Sequence, residues 1–130
     1  MNDTVPSVEA WLREAKADAK AADCGMFLLH NGVVRRSAKA KVRQGDESAP
    51  DVTGMRFSYD REKVAAAVAE TEAMPGIACV RTWLNEGELR VGDDIMYVLI
   101  GGDIRPRVVD ALQFLVGKLK DECVTEIETH

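Results

Sequence analysis

The chain has 130 residues, 46% of them hydrophobic and 30% charged, with a formal net charge of −5. That balance is too apolar for a disordered chain, too short for two ordinary domains and too acidic for general nucleic-acid binding. No apolar run approaches the roughly 18 residues of a membrane span, and MNDTVPSVEAWLREAK lacks the basic and apolar regions of a secretory signal, so the expected location is the cytoplasm.

The first predicted element is a helix. Pro6-Ser7 is a start signal, and Val8, Trp11, Leu12, Ala15, Ala19 and Ala22 recur at helical spacing until Cys24-Gly25 breaks the run. Glu9 in its first turn and Lys20 near its end suit the helix dipole. The apolar stretch Met26–Val34 follows, with Asn31-Gly32 inside it. That pair reads either as a hairpin turn or as a glycine bulge in one longer strand. Residues 35–51 carry no apolar pattern. Arg35, Arg36, Lys39, Lys41 and Arg43 come with no acid among them, and GDESAPD is turn chemistry, so the segment reads as a long mobile loop.

Val52–Tyr59 reads as a strand, with Met55, Phe57 and Tyr59 alternating against Arg56 and Ser58. Asp60 caps a helix from Arg61 to about Ala73, which Pro75-Gly76 closes. Ile77–Leu84 is the next strand, and Leu89–Val91 is a short one between two turns. Ile95–Ile100 is the most apolar strand and should be central. The last helix begins near Arg105-Pro106, and Val108, Val109, Leu112, Leu115, Val116 and Leu119 form its stripe. Cys123–Glu128 reads as an edge strand or a tail. The order α-β-β-α-β-β-β-α describes an α+β fold, a single domain over residues 1–130.

Cys24, Cys79 and Cys123 are odd in number and widely spaced, and only His30 and His130 could join them. Reduced thiols are expected, with neither a metal nor a cofactor. Asp93-Asp94, Asp103 and Gly101-Gly102 read as turn chemistry, His30 as a packed or edge histidine, and Cys123 as a buried thiol.

Three segments together resemble a known family. CGMFLLHNGVVR is similar to the strand that ends in Val-Arg in the large subunit of molybdopterin synthase, the MoaE family. NEGELRVGDDIMYVLI resembles that family's GxL…GD segment, and IRPRVVDALQFLVGKLKDE its last helix with the Leu-Lys signature. The resemblance runs in register from about residue 20 to residue 128. It implies a MoaE-like α/β hammerhead and a homodimer. It also implies a small MoaD-like partner with the ubiquitin fold, whose Gly-Gly tail carries sulfur as a thiocarboxylate to a pterin phosphate, cyclic pyranopterin monophosphate.

On that resemblance Lys120 falls on the lysine of the Leu-Lys signature and is the candidate catalytic residue. Arg35 and Arg105 fall on the family's arginines and are the candidates for binding the anionic substrate. The three are expected to share one anion pocket. Elsewhere the family's pattern is changed: Leu84-Asn85 and Ile104 stand where it has histidines or arginine, Ser58 where it has an acid, and Ile127 where it has a second lysine. Two readings follow from this. The chain is an active sulfurtransferase subunit, or it is a non-catalytic dimeric module that binds an anion or a ubiquitin-like tail. A third, an unrelated α+β interaction protein, leaves the three matched cations unexplained.

Overall fold

The computed structural model describes residues 5–130; residues 1–4, the first part of the stretch examined for a secretory signal, lie outside them. Six strands, β1 Met26–Val33, β2 Gly54–Tyr59, β3 Ile77–Leu84, β4 Gly87–Arg90, β5 Asp94–Gly102 and β6 Val124–Thr129, form two antiparallel three-stranded sheets ordered β1-β5-β3 and β4-β2-β6. The helices are α1 Val8–Ala17, α2 Lys39–Gln44, α3 Arg61–Glu72 and α4 Arg105–Lys118. Strand β5 is central, as its unbroken apolar run demands. Its Met96, Val98 and Ile100 are fully buried and belong to the one core cluster that joins both sheets to α3 and α4. On its opposite face Tyr97 meets Trp83 and the edge of Trp11, which docks α1. The Arg81–Glu14 ion pair at 2.7 Å adds a second tie to α1.

The α+β class stands, and the structure adds two elements and moves some boundaries. The first helix stops at Ala17, because Asp18 takes an extended conformation and its carboxylate accepts the Lys20 N–H to start a separate 3-10 turn over Ala19–Asp23. Asn31-Gly32 makes no hairpin. It lies inside β1, and the pairing with β5 slips between Gly32 and Val33. Cys123–Glu128 resolves into the edge strand β6, paired along the whole of β2.

The segment 35–51 is not structureless. It holds α2, which ends at Gly45 in the left-handed region (φ 71°), where the Gly45 N–H closes the last turn. Ala38 and Val52 are buried in the core, and the Val52 N–H donates to the Arg36 carbonyl.

Asp60 caps α3 as read, accepting from the Glu62 and Lys63 N–H groups, and its own N–H donates to the Cys123 carbonyl. Asp60→Ala is therefore expected to cost about 1 kcal/mol in urea unfolding. An unchanged midpoint and slope would show the cap to be dispensable.

Candidate functional site

Helix α4 runs on into a π turn, Leu119–Cys123. Leu119 and Cys123 face the core and Asp121 and Glu122 are exposed, which leaves Lys120 partly buried on the flank of a widened turn, a feature that recurs at functional sites. Its ammonium reaches the carboxylate of Glu126 on β6. Glu126 points inward because β6 alternates: Val124, Glu126 and Glu128 lie on the partly covered face, while Thr125, Ile127 and Thr129 are exposed.

The other oxygen of the Glu126 carboxylate is taken by the ammonium of Lys39, at 2.8 Å. The Glu126 side chain is only 4% exposed, against 42% for Lys39 and 27% for Lys120. Glu128 then holds the start of α2, accepting the Lys39 backbone N–H at 3.0 Å. Burial alone would raise the Glu126 carboxyl, but the hydrogen bonds and charges of Lys120 and Lys39 outweigh it and hold it below its ordinary value.

His30 on β1 lies near enough to Lys120 to feel its charge. Its Nε2 is buried and, among the described residues, has no hydrogen-bond partner. Burial first, and then the charge of Lys120, lower its basicity, so the ring is neutral beside the ammonium.

Acid sensitivity follows. Unfolded His30 takes up a proton near 6.5, which the folded ring refuses, so stability falls as pH drops below that value. Glu126 acts in the same sense lower down. Its contribution is full above about 4.5 and is lost as pH falls through its depressed folded value. Urea unfolding across pH 7.5 to 5 should show the first limb, and His30→Gln should flatten it. A native profile level over that range would contradict the buried neutral ring.

The structure does not bring the three predicted cations together within one chain. Helix α4 has 14 residues and spans about 21 Å, which sets Arg105 at one end and Lys120 just past the other. Arg105 is exposed in a first turn without acids. Arg35 follows β1 at the end of the sheet away from Arg105, since Val33 pairs with Asp94 and Met26 with Gly102. It is exposed, and its Nε donates to the Ser37 carbonyl at 2.9 Å. Lys39 and Glu126 are the members of this cluster that sequence reasoning missed, whereas His30, read as a packed or edge histidine, does have a buried ring nitrogen. The sequence places acids at alternate positions 126 and 128, but which face of β6 is covered is set by the fold.

The other candidates serve the fold. Asp93 accepts from the Arg90 N–H, Asp94 from Tyr97 and Asn31, and Asp103 from the Ile104 N–H and Arg107. Gly101 and Gly102 lie in β5, where a Cβ would meet the Phe27 ring at 2.6 Å and the Gly76 carbonyl at 2.7 Å, so close packing is what needs them. The Cys123 thiol is buried and pushed up, mainly by that burial. A groove of about 930 Å³ lined by Arg61, Asn85, Glu88, Arg90 and Asp94 includes none of the three predicted cations. No helix among the described residues is long and apolar enough to cross a membrane.

A family model described as MoaE protein matches residues 5–122. Among curated proteins none matches the chain in sequence. Among solved structures, the chain is similar to molybdopterin synthase from Staphylococcus aureus, with a TM-score of 0.72 at 14% identity over 97% of this chain and 86% of that one. It is also similar to the MoaE protein of Burkholderia ambifaria, with a TM-score of 0.70 at 21% identity over 96% and 78%. A third similar structure is the complex of subunits 1 and 2 of molybdopterin-converting factor from Helicobacter pylori, with a TM-score of 0.66 at 12% identity over 95% and 78%. At these identities the likeness to the solved structures is one of fold.

Proposed function

The chain belongs to the MoaE protein family, and from that premise we propose that it works in molybdenum cofactor biosynthesis as a molybdopterin synthase large subunit. In this reading it acts in the cytoplasm as a homodimer. A small MoaD-like partner brings a thiocarboxylate tail, and the acceptor of its sulfur is a pterin phosphate. The observation that carries the reading is Lys120, the Leu-Lys signature residue. The π turn sets it outside the core, beside a second ammonium and a neutral histidine. Two clustered cations suit an anionic tail or a developing negative charge. Arg35 and Arg105 remain the proposed substrate-binding arginines. Because they lie at opposite ends of the sheet, they serve one site only if a second copy supplies one of them.

The second reading, a binding module without turnover, also has an observation behind it. Glu126 occupies both ammoniums, and Ile104 and Ile127 are each 52% exposed at positions where the family carries proton-donating or charged groups. The deciding experiment is conversion of cyclic pyranopterin monophosphate in vitro with a thiocarboxylated partner. Turnover that falls at least 100-fold in Lys120→Ala supports the synthase. A complex that forms with the partner but gives no product supports the module. If the native chain neither binds the partner nor turns over, both readings fail.

A further inference from the structure

The Lys39–Glu126–Lys120 cluster has the form of an occupied binding site. Each oxygen of one carboxylate has its own ammonium, Lys39 on one and Lys120 on the other. The two cations are thus already set at the spacing that a single carboxylate requires. They come from separate parts of the fold, α2 and the π turn, and the carboxylate between them bonds to both. The acid lies deepest, while both lysine side chains stay partly open to solvent and can turn toward an arriving group. Ile127, the next residue along β6, faces the other way and cannot supply a cation here.

We propose that Lys39 is the second cation of this site and that Glu126 is a resident anion, which competes with the terminal carboxylate of an incoming peptide tail for Lys39 and Lys120. The proposal rests on the reading of Lys120 as the place where a partner's tail arrives. It goes beyond that reading in assigning Lys39 and in giving the chain a built-in competitor. Glu128 does not join the competition, because its carboxylate is engaged with the Lys39 backbone N–H. His30 is neutral, so it adds no charge that would hold Glu126 in place. When the ammoniums turn to an incoming carboxylate, Glu126 is left in a covered position without its cations, and such a group takes up a proton.

The test uses a short peptide ending in Gly-Gly with a free carboxylate, the same peptide as its C-terminal amide, and inorganic phosphate, each titrated against the full chain and followed by NMR. Glu126→Gln is expected to bind the free-acid peptide at least tenfold tighter than the native chain. The amide should show no gain, and Lys39→Met placed on Glu126→Gln should cancel it. Equal affinity in native and Glu126→Gln chains overturns the competition. A gain that survives Lys39→Met overturns the role of Lys39, and an equal gain for phosphate overturns the carboxylate assignment. Should Glu126→Gln fail to fold, the native chain answers alone. At peptide saturation the Glu126 carboxyl carbon should titrate above its ordinary value, and an unmoved signal in the saturated chain overturns the proposal. Neither partner nor pterin is present in these titrations. A chain that shows the gain but fails the conversion assay loses only the synthase reading, and one that turns over without the gain loses only the competition.

Discussion

Replacing both Lys39 and Lys120 by methionine is expected to destabilise the fold by about 3–5 kcal/mol at pH 7, the usual cost of stripping a buried charge of its partners. Either single change leaves one ammonium on Glu126 and should cost clearly less. The double variant also has a characteristic pH dependence. Without the lysines, burial is free to raise the Glu126 carboxyl, so the folded variant takes up a proton above pH 4.5 where the native chain does not. The stability gap between the two therefore narrows as pH falls. Urea unfolding at pH 7 and at pH 4.5 measures both effects. A loss below 1 kcal/mol at pH 7, or a gap of constant size, would mean that Glu126 is hydrated well enough to stand alone.

Leu115→Ala is expected to cost about 2–5 kcal/mol, because Leu115 is fully buried where α4 meets the core. Leu112, on the same predicted stripe, is only partly buried and packs against the margin of that cluster. Leu112→Ala should cost less. Equal losses for the two variants would contradict the way α4 is rotated against the sheets.

The parts of the fold that were readable were those where one local signal met no opposition. The period of α4, the apolar run of β5 and the Asp60 cap each act within a few residues, and each appears where its signal lies. Ala111, fully buried in α4, escaped because a small side chain adds little to a periodic pattern. Helix α2 escaped for a different reason. Its sequence KAKVRQ leaves Val42 exposed and offers no apolar face, and its first turn is held by Glu128 from the far end of the chain. The candidate site was half readable. Lys120 could be found by its likeness to a family signature, but Lys39 looked like one more member of a basic run. Its ion pair with Glu126 depends on the pairing of β6 with β2, and no local pattern encodes that pairing. Within one chain the length of α4 parts Arg105 from Lys120, and the length of the sheet parts Arg105 from Arg35.

Among the described residues β6 pairs as a strand with β2 only, so its other edge carries no strand. Outer strands exchange their amide hydrogens through small local openings that leave the rest of the fold in place. In this chain such an opening carries Glu126 and Glu128 away together, releasing both lysines and the first turn of α2 in one event. The grip of the two ammoniums is therefore written into the deuterium uptake of the backbone from Val124 to Thr129. A bound anion that takes over the lysines will speed uptake in that strand while leaving the amides of β5 protected.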